Sequence, residues 1–402
     1  MSTQKIKYGT VTSPRGFLAS GLHAGIKKNK LDVALIVSTR IAIGAGTFTK
    51  NTAKAWPLLW SEQVIRDKNQ WAILANSGNA NCFNGEGGKR AVLESVKILS
   101  QELGVKPRSI LLASTGIIGK SFPIKKVSKA IPSLVETLSK EGGYKAAQAI
   151  LTTDTRTKEI AFSFTIEGKE VRIGGIAKGS GMMSPHMATM LCFLTSDVDI
   201  TKPLLKKALK ESVAETFNHV SVDTDMSTND TVFILTNGSA KNPKITRKDK
   251  SYRIFLSHLK RVCRYLAKEL IKDGEGVTRI CEIKIKGARQ DRDARKIVRQ
   301  IASSMLFKTM LAGGDPNWGR VVASLGATQI PFNPKKLDIG FEGIKILQRG
   351  RVLKQNLPIV RKVLKHKEVT LEVNLNLGKG EARFLTTDLT KAYVRINSWY
   401  ST

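Results

Sequence analysis

Residues 178–191 read KGSGMMSPHMATML, and the reading of this stretch decides how the rest of the chain is understood. Lys178 is followed by Gly179, Ser180 and Gly181. Pro185-His186 supplies a turn signal, and Ala188-Thr189 then stands at the head of an apolar run over 190–194. Glycine and proline force backbone into tight conformations, so Ala188-Thr189 sits where a constrained loop meets a buried element. A strained peptide bond before a hydroxyl residue can undergo an N-to-O acyl shift and break. The freed Thr189 would carry a nucleophilic hydroxyl beside its own base, the new α-amine, whose unperturbed pKa is near ~7.7–8. The same residues also read as ordinary structure, a threonine opening a strand after a glycine loop.

At 402 residues, with 41% hydrophobic and 25% charged residues, the chain has the balance of a globular protein with a large core. No run approaches the ~20 apolar residues of a membrane helix, and MSTQKIKYGT at the start lacks the apolar core of a secretory signal. A cytoplasmic protein without membrane contact is the expectation. Cys82, Cys192, Cys263 and Cys281 show no paired spacing, and the five histidines are scattered, which argues against a disulfide framework or a metal site. Lysine and arginine number 66 against 33 acidic residues, a net charge of +33. Such a field attracts anions. The basic residues are spread from Lys5 to Arg395, however, and aromatic residues are only 6%, so no stacking platform for nucleic acid is indicated.

Apolar runs at 33–37, 71–75, 110–113 and 232–235 predict buried strands. Ile160, Phe162, Phe164 and Ile166 alternate with small or polar residues, as do Cys281, Ile283 and Ile285, and then the odd positions of 369–377; each predicts a strand with one buried face. Helical spacing joins Val92, Val96, Leu99 and Leu103, ended by Gly104. It also joins Leu205, Leu209, Val213 and Phe217, then Leu259, Val262, Leu266 and Leu270, then Ala294, Ile297, Val298 and Ile301. Interleaved strands and helices define a mixed α/β (α+β) class.

Several polar stretches carry chemistry. Ser77-Gly78-Asn79-Ala80-Asn81 and Ser114-Thr115-Gly116 follow strands as loops. Thr115 and Gly116 can donate hydrogen bonds to a developing oxyanion, and the tripeptide also reads as a strand-to-helix turn. Lys178 is a carboxylate anchor or a solvated lysine. Glu275, between Gly274 and Gly276, can meet an amine, or the segment is a helix end with Gly274 left-handed. Asp223, Asp225 and Asp230 lack the spacing of a calcium loop. Residues 313–320 (GGDPNWGR) are rich in turn formers, and their role is open.

These motifs recur, in order, in one known family. Gly16-Phe17-Leu18-Ala19, Gly46-Thr47-Phe48-Thr49, Asn76 to Asn81, Ser114-Thr115-Gly116, Thr152-Thr153-Asp154-Thr155, the stretch 178–191, Ser227-Thr228-Asn229-Asp230, Gly274-Glu275-Gly276 and Asp315-Pro316-Asn317-Trp318-Gly319-Arg320 together resemble the glutamate N-acetyltransferase (ornithine acetyltransferase) family of arginine biosynthesis. The resemblance implies a layered α/β sandwich similar to N-terminal-nucleophile hydrolases but of different topology. It implies self-cleavage between Ala188 and Thr189 into an alpha chain, 1–188, and a beta chain, 189–402, intertwined and assembled as a heterotetramer of two of each. Thr189 would be the nucleophile and Thr115 with Gly116 the oxyanion hole. Thr152, Lys178, Thr189, Glu275, Asn397 and Thr402 match the family's substrate-binding positions; of Thr152 and Thr153 the first matches better. The implied reaction moves acetyl from N2-acetyl-L-ornithine to L-glutamate through an acetyl-threonine, with no cofactor and with acetyl-CoA as a second candidate donor. His186 departs from the family's usual asparagine or aspartate. A hydrolase of the same design, an aminopeptidase or amidohydrolase, is the alternative.

Overall fold

The computed structural model describes residues 3–183 and 190–399. Ala188, Thr189, His186 and Thr402 lie outside the described residues. The first sheet is built from β1 (Gln4–Lys5), β2 (Phe17–Leu22), β3 (Val33–Phe48), β4 (Gln70–Asn79), β5 (Ile110–Ile117), β6 (Lys158–Ile166), β7 (Lys169–Lys178) and β8 (Leu191–Ser196), joined later by β10 (Thr231–Thr236) after the short β9 (Val220–Ser221). Its order is β1-β6-β7-β8-β10-β3-β4-β5, with β2 also on β3. The helices on it are α1 (Trp56–Val64), α2 (Gly85–Leu103), α3 (Ile124–Glu136), α4 (Gly143–Ala149), α5 (Lys202–Glu215) and α6 (Lys250–Lys272).

The long β3 makes this sheet two layers. Its first part, from Val33 to Val37, pairs with β2 and β4; its last part, from Ile43 to Phe48, pairs with β10. Between lies a register shift. Ala34, Ile36, Ile73 and Leu111 from one half therefore meet Ile176, Leu191, Phe193 and Phe233 from the other in a shared apolar core. The outer face of one half carries α2 and α3, through Val92, Val96, Leu99, Val127 and Ile131 on Val33, Leu35, Leu74 and Leu112. The outer face of the other carries α5 and α6, through Leu205, Leu209, Leu259, Val262 and Leu266 on Cys192, Leu194, Val232 and Ile234. The order is helix, sheet, sheet, helix. Strands covered on both faces are apolar without alternation, which is why 33–37 and 232–235 read as unbroken runs.

A second sheet comprises β9, β11 (Ile280–Ala288), β12 (Asp338–Phe341), β13 (Ile344–Gln348), β14 (Arg351–Val352), β15 (Glu368–Asn374) and β16 (Gly380–Thr387), in the order β14-β13-β12-β15-β11-β16-β9. One face is covered by α7 (Asp291–Ser303), α8 (Met305–Gly313), α9 (Trp318–Gly326) and α10 (Leu357–Val363), whose Ile297, Ile301, Phe307, Val321 and Val360 share a core with Ile283, Ile285, Leu371 and Val373. A last helix, α11 (Lys391–Ser398), follows β16.

The expected strands and helices are present, with four differences. Ser77-Gly78 and Ser114-Thr115-Gly116 are strand, not loop: β4 and β5 stay paired through Ser77 and Thr115 and through Gly78 and Gly116. They can do so because nothing projects between them; a Cβ on Gly116 (φ 130°) would lie 2.4 Å from the Gly78 carbonyl carbon. The helix through Leu205 ends at Glu215, leaving Phe217 in a short 3-10 turn. Gly276 (φ 65°), not Gly274, takes the left-handed conformation after α6, since Gly274 still bonds back to Ile271 in a helical turn. Leu375 and Leu377 lie beyond the end of β15. Residues 313–320 join α8 to α9, with Gly314 left-handed at the end of α8. Among the described residues, no helix is long and apolar enough to cross a membrane.

Candidate active site

Residues on both sides of the 184–189 segment share one sheet. β7 ends at Lys178 and pairs antiparallel with β8, which starts at Leu191. Between them the backbone is pinned at each end. Gly179 donates its amide to Asp154 Oδ1 (2.7 Å), Met182 donates to Asp223 Oδ2 (2.7 Å), and Met190 donates to Asp230 Oδ1 (2.9 Å).

Lys178 is buried, 3% exposed, and so is not a solvated lysine. Its Nζ donates to Thr152 Oγ1 (2.8 Å) and to Thr115 Oγ1 (3.3 Å). Burial lowers the Lys178 pKa, and the charge of Asp154 opposes the fall. Thr115 comes from β5, where the bare backbone of Gly78 and Gly116 brings two strands together. Asn229 ties this wall to the chain after residue 189, its Nδ2 donating to Ala80 O (2.8 Å) and Ser114 O (2.9 Å).

Glu275 forms the second end of the cluster. Its Oε1 accepts from Thr153 Oγ1 (2.7 Å), and its Oε2 accepts from Asn397 Nδ2 (2.9 Å). The Glu275 amide donates to Ser180 O (2.7 Å), and a Cβ on Gly181 would lie 2.4 Å from Glu275 Oε2. Asn397 arrives on α11, a helix with no buried residue, anchored instead at its start: Thr390 caps the Tyr393 amide and donates its hydroxyl to Gly276 O (2.7 Å). Thr115, Thr152, Lys178, Glu275 and Asn397 are thus brought together. Thr153, the less favoured of the pair, holds Glu275, while Thr152 holds Lys178.

Sequence reading did not single out Lys158 and Asp273, which lie beneath. Lys158 is wholly buried; its Nζ donates to Asp154 Oδ1 (2.6 Å) and Asp273 Oδ2 (2.5 Å). Burial alone would raise the Asp154 pKa, but the charges of Lys178 and Lys158 and the Gly179 amide hold it at about 2. Thr155 bonds Asp273 through both amide and hydroxyl. The signal was present: Lys158 shares parity with Ile160, Phe162, Phe164 and Ile166 on the buried face of β6, and a buried lysine needs partners. Asp230 is buried as well. Desolvation pushes its carboxyl well above the carboxylate range against the Met190 amide and the charge of Lys178. Among the described residues, no three histidine, cysteine, aspartate or glutamate side chains converge as a metal site.

Fold and site together describe a layered α/β enzyme with a cation and a carboxylate held at two ends of one polar cluster. The chain belongs to the ArgJ family, whose sequence profile matches residues 18–402. It is 42% identical over 397 residues to the arginine biosynthesis bifunctional protein ArgJ of Dehalococcoides mccartyi, covering 98% of each chain. It is also 42% identical over 410 residues to the glutamate N-acetyltransferase of Methanocaldococcus jannaschii, covering 98% of this chain and 99% of that one. Among solved structures, the ornithine acetyltransferase of Mycobacterium tuberculosis complexed with ornithine matches with 32% identity and a TM-score of 0.43, over 46% of this chain and 98% of that chain.

Proposed function

We propose that this chain transfers the acetyl group of N2-acetyl-L-ornithine to L-glutamate in arginine biosynthesis. Membership of the ArgJ family over nearly the whole chain supports an acetyltransferase. The observation that carries the reading is the cluster itself. Lys178 with Thr115 and Thr152, and Glu275 with Thr153 and Asn397, hold the backbone just before the 184–189 segment. A cation and a carboxylate at opposite ends suit an amino acid's carboxylate and ammonium.

In this reading the Thr189 hydroxyl displaces its own amine from the Ala188 carbonyl carbon, and water hydrolyses the ester, leaving an Ala188 carboxylate and a free Thr189 amine and hydroxyl on chains 1–188 and 189–402. The Thr189 hydroxyl attacks the acetyl carbonyl carbon, and its α-amine takes the hydroxyl proton. The Thr115 hydroxyl and the Gly116 amide stabilise the oxyanion. The amide C–N bond breaks, the α-amine returns the proton to the departing nitrogen, and ornithine leaves. The glutamate amine then attacks the acetyl-threonine ester, releasing acetylglutamate and restoring the hydroxyl. Thr402 completes the substrate site, the two chains assemble as a heterotetramer in the cytoplasm, no cofactor takes part, and acetyl-CoA is a second donor.

The test combines mass spectrometry of the purified protein with an acetyl-transfer assay. Two chains, the second beginning at Thr189, and acetylglutamate formed from acetylornithine and glutamate are expected. A Thr189→Ala variant should remain one chain and be inactive. An active protein with an intact chain would overturn the nucleophile assignment, and acetate as the sole product would point to an amidohydrolase.

A further inference from the structure

A second lysine reaches the cluster from the other side of the oxyanion wall. The loop that carries it is folded around one carboxylate. Asp32 is fully buried, and its two oxygens accept the consecutive amides of Ala24 (2.6 Å), Gly25 (3.1 Å), Ile26 (2.7 Å) and Lys27 (2.9 Å). Four converging N–H groups make a backbone nest, here filled by the protein's own anion. Ser77 donates its amide to Asp32 O (2.9 Å), which fixes the loop to β4. These bonds fix where the Lys27 stem starts.

From there the Lys27 stem runs past Gly78. A Cβ on Gly78 would lie 2.8 Å from Lys27 Cγ, so only glycine leaves the passage open. Gly78 is the register partner of Gly116. The ammonium ends at Leu151 O (2.9 Å), the carbonyl immediately before Thr152, whose hydroxyl is held by Lys178. Two lysines therefore meet at one short segment. An ammonium has three donors, and among the described residues Lys27 spends one, on a neutral carbonyl. Burial lowers its pKa to about 8, with Lys30 and Lys178 adding to the fall and Asp32 and Asp154 opposing it. Lys27 is partly buried, and its one hydrogen bond to a neutral carbonyl leaves two donors free for an anion.

We propose that Lys27 receives the side-chain carboxylate of the acetyl acceptor and so selects glutamate. The inference rests on the substrate site proposed above. The two substrates differ in this charge: acetylornithine has one carboxylate, for which Lys178 suffices, while glutamate has two. The second cation holds Leu151, the residue next to the Thr152 held by the first.

The test separates the two half-reactions. Acetyl-enzyme formation from acetylornithine, followed by mass spectrometry of the Thr189 chain, needs no acceptor. Its transfer to glutamate or to glutamine reads the acceptor site. In Lys27→Met, acetyl-enzyme should form within about twofold of the parent rate, while kcat/KM for glutamate falls roughly 10- to 100-fold, the range for a lost charge-assisted hydrogen bond. The preference for glutamate over glutamine should shrink by the same factor, and Lys27→Arg should recover part of it. An unchanged KM for glutamate, or equal losses for both acceptors, overturns the assignment. So does a loss of acetyl-enzyme formation in both Lys27→Met and Lys27→Arg, which would mark the lysine as a loop fastener. If the parent protein itself forms no acetyl-enzyme, the substrate site falls with it.

Discussion

Lys158 bridges Asp154, four positions before it, and Asp273, 115 positions after it, in a pocket closed to solvent. Asp154 holds the Gly179 amide beside Lys178; Asp273 ends the helix that presents Glu275. One ammonium thereby sets the spacing between the cationic and the anionic ends of the site. Removing it leaves Asp273 buried without its cation and Asp154 with Lys178 alone, and breaking a buried pair typically costs about 3–5 kcal/mol. Lys158→Met should lower the urea midpoint accordingly. If the protein still folds, KM for both substrates should rise, because both ends move. An unchanged midpoint would show that the bridge carries no weight.

Acid should unfold this protein through Asp154. Its folded value of about 2 lies below the ordinary 3.8. Its ionised form therefore contributes stability that is complete above the ordinary value and is lost as pH falls through about 2. The contribution is on the order of 2 kcal/mol. Asp154→Asn should flatten the stability profile between about pH 4 and 2, while lowering stability at neutral pH, where Lys158 and Lys178 lose their counter-charge. Urea midpoints measured across that range decide it.

Gly116→Ala tests the oxyanion wall. With φ 130° and Gly78 backbone 2.4 Å from a new Cβ, strand β5 must shift. If the amide there serves the oxyanion, kcat should fall roughly 10²- to 10³-fold, with KM far less affected. Thr115→Ser, which keeps the hydroxyl, should retain most activity, and Thr115→Ala should lose it. Steady-state kinetics on the three variants separate a hydrogen-bond donor from a packing residue.

Gly181→Ala acts at the opposite end. Its methyl would displace the Glu275 carboxylate from Thr153 and Asn397. KM for acetylornithine should rise about tenfold, as for the loss of one hydrogen bond of about 1.4 kcal/mol, and Glu275→Gln should behave alike. Independent, additive effects of the two changes would contradict a shared cause.

Thiol reagents should leave the native protein active. Cys82, Cys192, Cys263 and Cys281 are all buried and unpaired. Burial raises the Cys263 and Cys281 thiols to about 12 and pushes Cys192 well above its ordinary value. The thiolate is the reactive form, so alkylation should be slow until denaturant is added. Labelling followed by mass spectrometry checks this.

Much of the fold was legible because the first sheet lies between covered faces and its strands are unbroken apolar runs. The two-layer arrangement was not, since it depends on β3 continuing from Val37 through Thr39 and Arg40 to Ile43, exposed residues that interrupt the apolar pattern. Lys178 and Glu275 were visible as motif residues. So were Thr115, Thr152 and Asn397, through the family resemblance; Lys158 and Asp273 were not, because their bridge forms only through long-range packing. Gly78 and Gly116 signal turns when read singly; paired across two strands they signal close approach. The reach of Lys27 depends on Asp32, five positions later, which alone looks like a surface aspartate.

The cluster draws Thr115 from β5 and Asn397 from α11, about seven-tenths of the polypeptide apart. At synthesis rates of about 5–20 residues per second, roughly 15–60 s separate the making of the first of these groups from the last. A nascent molecule can lay down its central layers well before Glu275 meets the amide of Asn397. The Glu275–Asn397 contact therefore closes only when the end of the chain has been made.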